Sequence, residues 1–221
     1  MTSPEAAALA PVRRSLPAPA AYLCGLTWDG ARLWHSDQDA KKIFAIDPVT
    51  GAVLRELRCG WVRADLAYDG ARLCQVGGRP KRIVLVDPET GEVTGHKEVL
   101  PASGRLTGIE LGPEGMWLCL RGPTVVQLRD YATMTLLREY RTAGGSPSGL
   151  TVAGGFIIYG DFDDAVLRAL HPGTGEIVGT VTVPGRPTGL TWAGQHLWYC
   201  DFPARRLRAL DLDTVLAGQP G

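Results

Sequence analysis

Two acidic residues break the pattern of an otherwise repetitive chain, and acid–base chemistry would sit there. Glu110 stands in a column whose other members are Thr27, Ala67, Thr151 and Thr191, and Asp65 stands where the other repeats carry Gly25, Gly108, Gly149 and Gly189. A fold demands its repeated residues, so a departure from the repeat is the more informative position. A carboxylate enclosed in a narrow channel is partly desolvated, which raises its pKa toward the range useful for proton transfer. The structural alternative is a salt bridge to Arg63 or Arg105. His35 is a third group able to act as a base or ligand. His96, His171 and His196 do not stand at ligand spacing from it, and a satisfied structural imidazole is its stronger reading. Glu110, Asp65 and His35 are the catalytic candidates.

A second set of residues could bind rather than react. Asp37, Asp161 and Asp201 end the second apolar run of repeats one, four and five, which become neighbours if the chain closes into a ring. Three carboxylates on adjacent repeats could hold a hard cation or a cationic ligand. No cofactor is required by the sequence, but a divalent cation in or over a central channel is compatible with it. The structural reading is that each Asp caps its own turn by accepting backbone N–H bonds. Tyr159, Phe162, Tyr199 and Phe202 cluster in repeats four and five as an aromatic wall or as packing between sheets. Trp61 and Arg63 precede Asp65 in the loop leading to it. The substrate-binding candidates are therefore Arg63, Trp61, Asp37, Tyr159, Asp161, Tyr199, Asp201 and Phe202. Cys119 and Cys200 share a column but not adjacent repeats, which fits buried inert thiols.

These columns come from an internal repeat. Gly25-Leu26-Thr27-Trp28, Asp65-Leu66-Ala67-Tyr68, Gly108-Ile109-Glu110-Leu111, Gly149-Leu150-Thr151-Val152 and Gly189-Leu190-Thr191-Trp192 end 40, 43, 41 and 40 positions apart. A Gly-containing turn follows each, then a second apolar run such as Leu197-Trp198-Tyr199, then a third such as Ile43-Phe44-Ala45-Ile46. The third run closes in Asp47-Pro48-Val49-Thr50-Gly51, Asp87-Pro88-Glu89-Thr90-Gly91 or His171-Pro172-Gly173-Thr174-Gly175, where Pro presets φ and Gly takes a positive φ so that a fourth strand folds back. Repeat three has Asp130-Tyr131-Ala132-Thr133 there, without Pro or Gly. Short alternating or β-branched runs, and no sustained helical period, make each repeat four antiparallel strands. The expected fold is all-β: a five-bladed β-propeller in one domain over 1–221, with blades near 25–60, 65–100, 108–142, 149–184 and 189–213. Repeat five lacks a fourth strand, and residues 11–16 resemble one. That N-terminal segment is expected to complete the last blade, which leaves only short protected edges.

Composition narrows the partners. Lys+Arg and Asp+Glu are 23 each in 221 residues, with a pI near 6.9. A neutral chain has no electrostatic footprint for nucleic acid or an anionic membrane, and no apolar run is long enough to span a bilayer. Five cysteines without a CxxC pair read as reduced thiols in a cytoplasmic protein, and Met1 to Ala20 lacks the layout of a secretion signal. A monomer is expected.

The unit from Gly25 to Gly51, Gly-Leu-Thr-Trp-Asp-Gly through Ile-Asp-Pro-x-Thr-Gly, resembles the blades of the five-bladed glutaminyl cyclotransferase family of plants and bacteria. It also resembles the wider propeller set that includes virginiamycin B lyases. Tyr22-Leu23-Cys24-Gly25-Leu26 stands where that family begins its first blade with Phe-Thr-Gln/Glu-Gly-Leu. Leu106-Thr107-Gly108-Ile109-Glu110 matches its Leu-Asn-Glu-Leu-Glu, with Glu110 as the surviving acid. The resemblance implies a ligand site at the channel mouth for a small molecule or peptide, with cyclotransferase-like activity. The alternatives are a non-catalytic protein-interaction propeller and a lyase or cyclase of secondary metabolism.

Overall fold

The computed structural model describes residues 9–78, 81–100 and 103–218, so the expected domain of 1–221 and the leader reading of Met1 to Ala20 extend in part outside the described residues. Within them the chain is a five-bladed β-propeller of four-stranded antiparallel sheets. Blade one is β2 (Leu23–Trp28), β3 (Leu33–Asp37), β4 (Lys42–Ile46) and β5 (Val53–Arg58). Blade two is β6 (Leu66–Tyr68), β7 (Leu73–Val76), β8 (Arg82–Val86) and β9 (Val93–Glu98). Blade three is β10 (Arg105–Gly112), β11 (Gly115–Arg121), β12 (Val125–Arg129) and β13 (Leu136–Arg141). Blade four is β14 (Pro147–Ala153), β15 (Phe156–Asp161), β16 (Val166–Leu170) and β17 (Ile177–Thr182). Blade five takes β18 (Pro187–Ala193), β19 (His196–Asp201) and β20 (Arg206–Leu210), and its outermost strand is β1 (Arg14–Pro17) from the N-terminal segment.

β1 pairs antiparallel with β20, Arg14 opposite Ala209 and Leu16 opposite Leu207. It begins three residues later than the sequence suggested, because Pro11 has no N–H to donate and pairing starts with the Arg13 amide on the Ala209 carbonyl at 2.8 Å. The same segment also touches blade four: Leu9 bridges Thr182 in parallel, and the Ala10 N–H reaches the Thr182 carbonyl at 2.8 Å. A single turn of helix, α1 (Leu212–Leu216), follows β20 and buries Val215 in the core between blades four and five. Five residues are too few to carry a helical period, so the sequence showed no sign of it.

The core lies between blades. Trp34, Trp117 and Trp198 are buried on equivalent strands, each within an inter-blade cluster. In the turn of blade one, Asp47 Oδ1 accepts the Val49 and Thr50 amides at 2.8 and 2.7 Å, and Gly51 takes φ +76°. Blade three makes the same turn without Pro or Gly. Asp130 accepts the Thr133 amide at 2.8 Å, and Met134 itself adopts φ +59° because its side chain is buried in the core of blades two and three. Left-handed backbone costs a non-Gly residue about 1 kcal/mol, which burial of a Met side chain exceeds.

Candidate functional site

The five innermost strands converge on a waist too narrow for side chains. An ideal Cβ on Gly25 would lie 2.6 Å from Leu66 Cβ, one on Gly108 2.9 Å from the Gly149 carbonyl carbon, and one on Gly189 2.6 Å from the Leu26 amide nitrogen. Glycine is therefore required wherever neighbouring backbones meet. Four of the five innermost strands also slip register at this level, between Leu23 and Gly25, Leu106 and Gly108, Ser148 and Leu150, and Pro187 and Leu190.

Asp65 is the exception in that column, and its side chain occupies the waist. The fully buried carboxylate accepts the Leu26 amide at 3.3 Å on one oxygen, and the Ile109 and Leu150 amides at 3.2 Å each on the other. One side chain of blade two thus ties blades one, three and four. Its backbone is held in turn by Gln75, whose Nε2 donates to the carbonyls of Ala64, Asp65 and Val76 at 2.9 to 3.1 Å. Burial pushes the Asp65 carboxyl well above the usual carboxylate range, and nearby Glu110 adds to that. The amides of Leu66, Ile109 and Leu150 pull the other way.

Glu110 lies one residue beyond Ile109 and is partly exposed in the channel. It accepts the Thr151 hydroxyl at 3.0 Å and the Leu111 amide at 3.0 Å, and Thr151 Oγ1 accepts the Trp192 amide at 3.0 Å, so the chain of bonds spans blades three to five. Burial raises its pKa from 4.5 to about 8, against the lowering effect of these two hydrogen bonds. A carboxyl whose folded pKa is raised keeps its proton in the folded state where the unfolded chain has lost it. Its contribution to stability is present at low pH and is lost as pH rises through about 8. A tenfold difference in proton affinity between folded and unfolded chain is worth about 1.4 kcal/mol. Because water reaches the group, the expected loss between pH 5 and pH 8.5 is about 3 kcal/mol rather than the full amount. Glu110→Gln should remove the Glu110 part of that slope in urea unfolding followed across this range, leaving the part due to Asp65, whose carboxyl is also raised by burial. An unchanged slope would place the titration elsewhere.

The open space is on the face carrying the loops into the innermost strands and the turns between second and third strands. A cleft of about 1140 Å³ lies there over blades two and three, lined by Gln38, Gly60, Trp61, Arg63, Val76, Gly77, Gly78, Lys81, Gly104, Arg105 and Leu106. Trp61 is 41 % exposed, with the Arg82 guanidinium 5.5 Å from its ring centre. Lys81 Nζ donates to the Ser103 carbonyl at 2.6 Å and Arg63 to the Val62 carbonyl at 2.6 Å. The cleft opens where a clasp is missing. Asp37 Oδ2 accepts the Tyr22 amide at 2.7 Å, and Asp161 Oδ2 the Ser146 amide at 3.1 Å, fastening the incoming loops of blades one and four. Blades two and three have Gly77 and Leu120 at that position, which offer no side-chain acceptor.

Of the sequence candidates, Trp61 and Arg63 line the cleft, while Asp65 and Glu110 lie in the channel and not among its lining residues. His35 is fully buried between blades five and one, with Nδ1 3.1 Å from the Gly25 carbonyl and 3.7 Å from Cys200 Sγ. Burial lowers its pKa to about 4, so it is neutral. The three aspartates all serve their own turns. Asp37 also accepts Ala40 N–H at 2.8 Å, Asp161 those of Asp163 and Asp164 at 3.1 Å, and Asp201 that of Ala204 at 3.4 Å, besides binding Arg208 of β20 at 2.7 Å. Among the described residues no three His, Cys, Asp or Glu side chains converge on one point. Tyr159 and Tyr199 are buried, donating to the carbonyls of Ala143 and Pro184 at 3.1 and 2.9 Å. Phe202 packs edge-on against Tyr22 and Phe162 at 5.1 and 5.9 Å between centroids, away from the cleft. Cys119 and Cys200 are buried free thiols, as are the other three cysteines. Gln38, Lys81 and Arg105 complete the cleft and are not among the sequence candidates. Gly77, where blades one, four and five carry Asp, is the signal for its position.

No protein-family model matches the chain, and no curated protein sequence does. Solved structures do. The chain is similar to a glutaminyl cyclase of Myxococcus xanthus, at 17% identity with a TM-score of 0.77 over 92% of this chain and 97% of that one. It is also similar to a chain of a nidogen/laminin complex, at 17% identity with a TM-score of 0.65 over 88% of this chain and 78% of that one. At this identity the likeness is one of fold. Among the described residues no helix is long and apolar enough to cross a membrane.

Proposed function

We propose that the protein is a ligand-binding propeller that takes a small molecule or peptide in the cleft over blades two and three. The observation that carries this reading is a large concave space at the channel mouth, lined by a half-exposed Trp61 and by cations, where blades one and four are instead fastened shut. Ligand pockets combine an apolar or aromatic surface with a few polar groups that fix orientation, and this cleft has both. Screening a metabolite and peptide set by calorimetry tests it. Ligands that bind the native protein should lose at least tenfold affinity in Trp61→Ala, with no change in melting temperature because Trp61 lies at the surface. Ligands that bind Trp61→Ala as tightly as native would move the site elsewhere.

A second reading is enzymatic, and Glu110 favours it. A carboxyl that titrates near pH 8 inside a channel can donate a proton at neutral pH. Cyclisation of an N-terminal Gln expels ammonia and so needs such a donor, and the fold likeness to a glutaminyl cyclase adds to the case. The position of Glu110 outside the cleft lining favours binding over chemistry at that cleft. Ammonia release from a peptide with N-terminal Gln, abolished in Glu110→Gln, would establish the enzymatic reading; no release by the native protein would end it.

A further inference from the structure

We propose that the cleft is an anion site: its ligand carries a carboxylate or phosphate group held by Arg63, Arg105 and Lys81, with an apolar or aromatic part against Trp61. The inference rests on the ligand-binding reading above and names the class of ligand.

The chain as a whole is electrically neutral, with 23 basic and 23 acidic residues. The cleft is not. Among the described residues three cations line it and no carboxylate does. On the same face over blades four and five, cations are matched: Arg168 has Asp161 and Asp164 at 3.7 and 2.8 Å, Arg208 has Asp201 at 2.7 Å, and Arg186 has Asp163 at 3.5 Å. In the cleft, Arg105 makes no side-chain hydrogen bond among the described residues. The acceptors of Arg63 and Lys81 are neutral carbonyls, which leave most of their N–H groups free and their charges uncompensated. Outside the lining, Arg129 is buried and bound to Gln127 Oε1 at 2.8 and 2.9 Å and to the Leu100 carbonyl. Burial, together with Arg129, holds the Lys81 amine below its ordinary value, so a bound anion relieves a repulsion already present.

The shape suits such a ligand. A guanidinium presents paired donors that match a carboxylate or phosphate edge, and Arg63 comes from the loop into β6 and Arg105 from the first residue of β10, on adjacent blades. Gly60 and Gly78 leave the main chain uncovered, since a Cβ on Gly60 would meet nothing within 4 Å and one on Gly78 only Arg63 Nε at 3.9 Å, so an oxyanion can approach closely. Trp61 gives the rest of the ligand an aromatic surface.

Three probes test the inference: N-acetylphenylalanine, its primary amide, and phenyl phosphate, each titrated by calorimetry and by tryptophan fluorescence. The two anions should bind and the amide should bind at least tenfold more weakly. Their affinity should fall several-fold from 50 to 300 mM salt, as screening shortens the reach of the cations. Arg105→Ala and Arg63→Ala should each weaken the anions at least tenfold and melt with the native protein, while Arg186→Ala, on the same face outside the cleft, should change nothing. The ratio of phosphate to carboxylate affinity then says which oxyanion the cleft is built for. Equal binding of the amide overturns the anion inference and leaves the cleft reading standing. Equal loss in Arg186→Ala overturns it as well, by making the charge effect general to the face. Absence of binding by all three probes overturns both.

Discussion

Asp65→Ala is expected to lower stability by about 4 kcal/mol, although the residue is not part of any packed apolar core. Its carboxylate is the acceptor for the amides of Leu26, Ile109 and Leu150, on three different blades. Removing it leaves three buried donors without partners, at about 1–3 kcal/mol each. Water entering the vacated space along the channel recovers part of that, which brings the sum to about 4 kcal/mol. For a chain of this length the corresponding fall in melting temperature is about 10 °C. Asp65→Asn, which keeps one acceptor oxygen and turns an amide group toward another N–H, should fall between the native protein and the Ala variant. Urea unfolding of the three proteins at pH 6 checks the order. If Asp65→Ala lies within 1 kcal/mol of native, water satisfies the waist and the carboxylate is not the tie between blades.

That result bears on what the sequence could and could not convey. Asp65 and Glu110 are legible as outliers because the repeat supplies its own control: four glycines against one aspartate, three threonines and an alanine against one glutamate. Their roles are not legible. A column says that a side chain stands at the channel, but the partners of Asp65 are backbone amides, which every residue has and no sequence pattern marks. The alternative of a salt bridge to Arg63 or Arg105 fails, since neither arginine bonds Asp65. Asp37, Asp161 and Asp201 follow the opposite course. Their turn-capping role can be read from the residue type, and the structure places them there. The cleft is written in the absence of that same aspartate at Gly77 and Leu120, a signal that becomes readable only once the clasp on the other blades is known. His35, Tyr159 and Tyr199 share the column logic but not the outcome, because the second strand of each blade sends its polar residues between sheets as well as toward the face.

The ring closure allows the strongest test of the fold, and the geometry explains why it should be severe. Deleting residues 1–17 removes all of β1 from blade five. The lost contacts include the pairing of Arg14 to Pro17 with β20, the Arg13 amide on Ala209, and the Ala10 amide on Thr182 of blade four. Leu16 leaves a cluster shared with Leu207, Ala209 and Trp198. Truncating a buried Leu alone costs about 2–5 kcal/mol, and each lost backbone bond about 1 kcal/mol net. The total, about 5 kcal/mol or more, is comparable to the whole stability of a typical domain. The truncated chain should therefore unfold at least about 10 °C lower and expose β20 as an unprotected edge, so it should also self-associate on concentration. Leu16→Ala in the full chain separates the two contributions. It removes the side chain but keeps the strand, so it should lower stability by about 3 kcal/mol without self-association. A truncated chain that melts with the full one would mean that blade five stands on three strands and that the N-terminal segment only lies against it.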